Sequence, residues 1–402
     1  RVLKLIKGNP KFRVLYDPKL EYSIGKTNNY EKKDFIVSVV NEERYDTLYL
    51  YTDLNMKSVL GSKEILLDGD HFMSISYNEK ITPPKIKKII FELEKTKVYW
   101  LNWCYKTPSF SKYNEQILRS AMTLKLLTFE KTGAVLAAAT TSLPETIGEV
   151  RNWDYRFCWI RDASMVIKVI TKLGHLKIVK KFIDFILDII PDKNEKLQIM
   201  YGINGEKILT EETLNHLSGY FESTPVRIGN AAFIQKQNDI YGILVDAIHF
   251  QIEKYIDEND KHEELWSIVK NIVWVVHHNW KLPDKGIWEF RQEDQHFTFS
   301  KLLCWVAVDR AIKISELIQD GKSAKKWEPL RMEIYNDIIE NAWSDKKEAF
   351  TQSYGNDHLD ASVLLMEPYG FIDAMDPRYI MTVKAIEKEL SNEGLLFRYK
   401  NN

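Results

Sequence analysis

Three stretches of this chain combine charge and aromatic rings in a way that could do chemistry. The first is Asn152-Trp153-Asp154-Tyr155-Arg156-Phe157-Cys158-Trp159-Ile160-Arg161-Asp162. Arginines and aspartates so densely placed do not belong in an ordinary core. Four large rings beside them do not belong in an ordinary surface loop. Flat apolar faces interleaved with charged hydrogen-bonding groups suit a ligand rich in hydroxyls that also has C–H faces, such as a sugar ring. The competing reading is a structural corner, in which an Arg–Asp pair pins a loop beneath aromatic lids.

The second stretch runs from Asn279 to Arg291 and holds Gly286-Ile287-Trp288-Glu289-Phe290-Arg291. A carboxyl flanked by Trp288 and Phe290 is partly desolvated, and desolvation raises its pKa. It then keeps its proton near neutral pH, as a general acid must. The alternative is an exposed glutamate paired with Arg291. The third stretch, 198–230, supplies Tyr201 and the run Thr224-Pro225-Val226-Arg227-Ile228-Gly229-Asn230. Arg227 there suits either ligand anchoring or tying the loop to its neighbour. Glu211 and Glu212 read as charges at a helix N-terminus.

Other chemistries find little support. His262-Glu263-Glu264 is followed by Leu265 and Trp266, so the second histidine of a zinc-protease motif is missing. His277-His278 reads as a helix end. There is no phosphate-binding glycine loop and no Gly-x-Ser-x-Gly elbow. Cys104, Cys158 and Cys304 have no ligand-like spacing, which argues against a zinc site or a disulfide framework and for a reducing, cytoplasmic setting. Neither a metal nor an organic cofactor is expected.

The elements that must position these residues fall into two kinds. Up to about residue 83, Phe12–Tyr16, Thr47–Tyr51, Ile65–Leu67 and Phe72–Tyr77 read as strands between Asp, Asn and Gly turns. They predict an antiparallel β-sandwich over 1–83. Pro83-Pro84 breaks that pattern, and a charged helix from Lys85 makes 84–110 a helical linker. From 111 to 402 the pattern is helical. Apolar residues recur at helical spacing after Asn114, after Asp162 as far as Gly174, around Tyr241–Ile252, over Leu265–Val276 and over Tyr335–Ala342. Long loops separate these helices, and loops of that length carry function. The whole predicts a helical toroid with its site at the loop end.

The chain has 402 residues, 45% of them hydrophobic and 28% charged, with 56 basic against 57 acidic side chains. This is globular composition. The near-neutral balance gives no reason to expect nucleic acid or an anionic membrane as partner. No run approaches the roughly 20 apolar residues of a membrane helix. A homo-oligomer is compatible with such a surface.

Taken together the motifs resemble glycoside hydrolase family 15, the glucoamylase-like enzymes. They are Arg151–Arg156, Trp159–Ser164, Thr224–Ala232, Gly286–Arg291, His296–Lys301 and Cys304–Ala307. The resemblance implies an (α/α)6 barrel preceded by a β-sandwich, and an inverting hydrolase of α-glucosides. By motif, Arg161 and Asp162 are similar to the pair that holds the terminal glucose. Tyr155 and Trp159 match its aromatic walls, Glu289 the general acid, and Trp288 a neighbouring contact. Arg227 and Tyr201 match contacts in further subsites. Such an enzyme needs a second carboxylate about 6.5–9.5 Å from the acid to activate water. The resemblance places it after a segment like Gly394–Tyr399, so it is expected beyond Asn402, with the closing helices. First strands are expected before Arg1.

Three functions follow. The leading one is exo-hydrolysis of maltooligosaccharide or starch ends. The second is trehalose hydrolysis, which would use the same glucose pocket and acid. The third is sugar binding without hydrolysis.

Overall fold

The computed structural model describes residues 1–40, 46–190, 197–255 and 262–400. The chain divides into two compact units, Arg1–Lys106 and Thr107–Asn402.

The first unit is built on a five-stranded antiparallel sheet. Its strands are β1 (Val2–Leu3), β3 (Thr27–Glu31), β4 (Ile36–Val40), β5 (Thr47–Thr52) and β7 (His71–Tyr77), in the order β1-β7-β5-β4-β3. Alternation along β4 buries Ile36, Ser38 and Val40 and turns Val37 and Val39 outward. Ile36 and Leu50 pack with Leu54 and with Val59 of the short helix α1 (Met56–Leu60). Asn55 caps α1 by accepting from Ser58 N–H at 2.9 Å. Strands β2 (Lys11–Phe12) and β6 (Ile65–Leu66) form a separate pair. The expected β-sandwich is not confirmed. The described strands form one five-stranded sheet and a separate two-residue pair. Val14–Tyr16 stay outside any strand. The charged helix α2 (Ile86–Lys106) packs on β1 and β7.

The second unit is helical. It holds α3 (Asn114–Leu127), α4 (Ile160–Lys172), α5 (Leu176–Ile189), α6 (Asp239–Tyr255), α7 (His262–Asn279), α8 (Thr298–Leu317), α9 (Gly321–Asn341) and α10 (Pro377–Leu390). Helix α4 presents Ile160, Ala163, Ile167 and Ile170 inward, and Gly174, at φ +77°, follows its C-cap. At the centre, α8 packs against α6, α7 and α9, and α6 packs against α4. Every residue from Thr298 to Ile312 of α8 is buried. A helix enclosed on all sides carries no amphipathic period, which is why α8 does not stand out in the sequence. Close approach of α6 to α8 depends on Gly242, where a Cβ would stand 2.1 Å from the Leu303 carbonyl oxygen. No helix of the described residues is long and apolar enough to cross a membrane.

Candidate active site

The 152–162 stretch resolves into two alternating sets, one building a corner and the other facing a cavity. Asn152, Asp154 and Arg156 build the corner. Arg156 makes a two-pronged pair with buried Asp154, at 2.8 and 2.7 Å. Asp154 also accepts from Gly229 N–H at 3.1 Å, and Asn152 donates to the carbonyls of Ser223 and Pro225. The other set, Trp153, Tyr155, Trp159, Arg161 and Asp162, lines a cavity of about 1040 Å³. Strand β8 (Cys158–Trp159), paired with β9 (Met200–Tyr201), delivers Trp159 to the start of α4. Arg161 and Asp162 therefore occupy the first turn of that helix.

Glu289 reaches the same cavity from a loop closed at its root. Asp284 and Gln295 exchange two backbone hydrogen bonds of 2.9 Å, and Glu289 stands near the tip. Gly286 turns the chain at φ +64° against the Phe297 ring, where a Cβ would come within 2.7 Å. Phe290 stacks on Phe297, with centroids 5.2 Å apart. Glu289 itself sits at φ +56°. Holding a non-glycine residue in that left-handed region costs on the order of 1 kcal/mol or more, and such strain gathers at working sites.

The Glu289 carboxyl is gripped on one oxygen. Trp159 donates its indole N–H to Oε1 at 2.7 Å, and Arg161 approaches the same oxygen at 3.5 Å. Burial pushes the Glu289 pKa up, and Arg161 and Trp159 pull back only part of that rise. Such a group holds its proton at higher pH than an exposed glutamate. Arg161 also donates to Gln237 at 2.9 Å, lies 3.4 Å from Asp239 and pairs with Asp162 at 3.4 Å. Burial opposes its charge, but Asp239, Asp162 and Glu289 more than compensate, so its pKa lies above the ordinary value. Burial, with Glu145 and Glu289 nearby, pushes the Tyr155 phenol up to about 12. Trp288 lines the cavity and donates its indole N–H to Asp360 at 2.7 Å.

Arg227 and Tyr201 stand outside the cavity lining. Arg227 donates to the carbonyls of Val150 and Asn152, approaches Glu211 at 3.4 Å, and lies 4.5 Å from the Trp153 ring centre. It ties loops together beneath the wall. Tyr201 is buried, and its hydroxyl accepts from Gln198 N–H at 3.0 Å. Arg291, read as a partner for Glu289, pairs instead with Glu211 at 3.1 Å and lies 3.9 Å from the Trp153 ring centre. Sequence reasoning did not find Gln237, Asp239 or Asp360. Polar residues at the start of a helix have a ready structural explanation, so nothing in the string marks these out. Among the described residues no group of three or more His, Cys, Asp or Glu side chains could hold a metal ion.

The model of the family described as "Glycosyl hydrolases family 15" matches residues 111–402, which include every residue of this cavity. The chain belongs to glycosyl hydrolases family 15. Among similar proteins, the trehalase of Mycolicibacterium smegmatis is 37% identical over the whole of this chain and 61% of its own length. The trehalase of Thermoplasma acidophilum is 36% identical over 92% of this chain and 61% of its own. The chain thus spans about three fifths of the length of these relatives. A solved bacterial glucoamylase complexed with acarbose superposes with a TM-score of 0.62 at 14% identity, over 89% of this chain and 57% of that one. A wild-type glycosidase superposes at 0.56 and 15%, over 71% and 72%. At such low identity these two show the fold alone.

These relatives correct the expectation of a glucoamylase. The likeness that runs through most of the sequence is to proteins named trehalase, and the glucoamylase likeness is one of shape. The motifs behind that expectation were read as a glucose pocket, which both activities would need. They say little of the leaving group.

Proposed function

We propose that this family 15 chain carries the glycosidase domain of a trehalase, folded as an (α/α)6 barrel. The observation that carries the chemistry is Glu289, a desolvated carboxyl with a raised pKa, held by Trp159 on the wall of a polar cavity. The substrate rests on the trehalases 36–37% identical to the chain.

In this reading Arg161 and Asp162 hold the hydroxyls of one glucose, and Tyr155, Trp159 and Trp288 enclose its faces. Glu289 gives its proton to the bridging oxygen as the C1–O bond breaks, so the second glucose leaves as a neutral alcohol. Water attacks C1 and loses a proton to a second carboxylate. That role is assigned to none of the described residues. Arg398, Tyr399 and Lys400, from the segment after which the family resemblance expects it, line the same cavity.

The test is turnover of trehalose and maltose by the full-length protein and its Glu289→Gln variant. Trehalose is expected to be cleaved and maltose not, with kcat on trehalose falling roughly 10²–10⁴-fold in the variant. Hydrolysis of maltose alone would overturn the substrate, and near-normal turnover by the variant would overturn the acid.

A further inference from the structure

Three carboxylates surround one guanidinium. Arg161 Nη2 lies 3.5 Å from Glu289, Nη1 3.4 Å from Asp239 and Nε 3.4 Å from Asp162. A single positive charge cannot neutralise three negative ones, and crowding of like charge favours a proton on one of them.

Their settings decide which one takes it. Asp162 is half-exposed to the cavity, whereas Asp239 and Glu289 are the more buried of the three. Asp239 is fully buried, and burial pushes its carboxyl pKa up as well, but Arg161 pulls back part of that rise and, as the first residue of α6, it has the free N–H groups and dipole of a long helix to favour a carboxylate. Glu289 lies on a strained loop and not at the start of a helix of its own, and burial is the largest influence on its carboxyl, as it is on that of Asp239. Glu289 faces the cavity and is the group that must deliver a proton in the proposed reaction, so the proton is assigned to it, while Asp239 pairs with the arginine from the buried side.

Asp239 does not line the cavity and so has no route to the sugar. We propose that Asp239 acts on the acid through Arg161: its buried carboxylate takes up the guanidinium's charge, and Glu289 therefore keeps its proton until catalysis. Asp239 is a positioning residue in this scheme, which rests on the reading of Glu289 as the general acid. The groups facing the Asp239–Arg161–Glu289 line are known from each neighbouring element. Asp162 comes from α4 and Gln237 from the segment before α6. Asp284 belongs to the acid loop, Cys304 to α8, Tyr369 to the segment before α10, and Tyr155 to the cavity wall. Lys301 of α8 lies towards Asp284 and donates to the carbonyls of Trp280 and Leu282. Arg161 is the cation that touches both carboxylates.

Removing the Asp239 charge leaves Arg161 free to stabilise ionised Glu289, so the acid loses its proton at lower pH. The experiment is the pH profile of kcat/KM on trehalose for the full-length protein, Asp239→Asn, Asp239→Glu and Glu289→Gln. Asp239→Ser, which has no amide to accommodate, stands beside Asp239→Asn in case the latter does not fold. The alkaline limb of both neutral variants is expected to move down by roughly one pH unit, the effect of a unit charge within about 12 Å at an effective dielectric of about 20. Asp239→Glu should restore the limb. A folded neutral variant with lowered activity and an unmoved limb would overturn the proposal and leave Asp239 a packing residue. Full turnover by Glu289→Gln would instead remove the general-acid reading on which the proposal depends.

Discussion

The indole N–H of Trp159 donates to Oε1 of Glu289 at 2.7 Å, joining residues 130 positions apart. Trp159 was expected as a flat wall for the sugar. It lines the cavity, and it also holds the Glu289 carboxyl in place.

That bond stabilises ionised Glu289. Trp159→Phe keeps a ring and removes the donor, so the acid should hold its proton to higher pH. The alkaline limb of kcat/KM is expected to move up, opposite to the direction expected for Asp239→Asn. Loss of orientation should lower kcat by about 10-fold. An unmoved limb would show that the indole only fills space.

Asp284 gives stability a pH dependence of unusual sign. Burial pushes its carboxyl up to about 7 from 3.8, while Asn238 N–H, at 2.7 Å, opposes the rise. Between those values the folded chain keeps a proton that the unfolded chain has released. Stability from this group is therefore full below about pH 4 and lost as pH rises through about 7, by roughly 4 kcal/mol in all. Asp284→Asn should flatten this slope in urea titrations from pH 4 to 7. An unchanged slope would place the titration elsewhere.

Gly242→Ala tests the approach of α6 to α8. The new Cβ would stand 2.1 Å from the Leu303 carbonyl oxygen and 2.7 Å from its Cδ1. The helices must separate, which should cost about 3 kcal/mol in chemical denaturation. A loss below about 1 kcal/mol, under the ordinary range for overpacking, would mean that the interface yields easily.

A buried ion network ties the helices together away from the cavity. Asp246 of α6 accepts from Arg310 Nε at 2.7 Å and from Lys168, and Arg310 also binds Asp309 and the Tyr369 carbonyl. Asp246→Asn leaves two cations short of one negative charge, and should destabilise by about 3 kcal/mol. Lost stability with unchanged KM on trehalose is expected. A raised KM would connect this network to the cavity.

Much of this site was legible because its residues lie in short runs. Charge set among rings marked out 152–162, and Trp and Phe on either side of Glu289 marked a desolvated acid. The helices on the rim of the second unit announced themselves by one apolar face. Helix α8 did not, because its polar side chains are buried with the rest. In the first unit, alternation found β5 and β7 but also suggested strand at Val14–Tyr16, because alternation does not say whether a partner strand is within reach.

The sequence alone determined the helical class of the second unit and the family 15 motifs, and it singled out Glu289 as a desolvated carboxyl, since each depends on neighbours within a few positions. Only the tertiary structure decided which members of those motifs face the cavity. It sorted Asp154 and Arg156 into the corner and Arg161 and Asp162 into the site, and it set Arg227 and Tyr201 behind the wall. It also brought Trp159 to Glu289 and Asp239 to Arg161. The physical reason is that a proton's affinity depends on charge and burial within a few ångströms, and those neighbours here come from α4, α6 and a loop far apart along the chain.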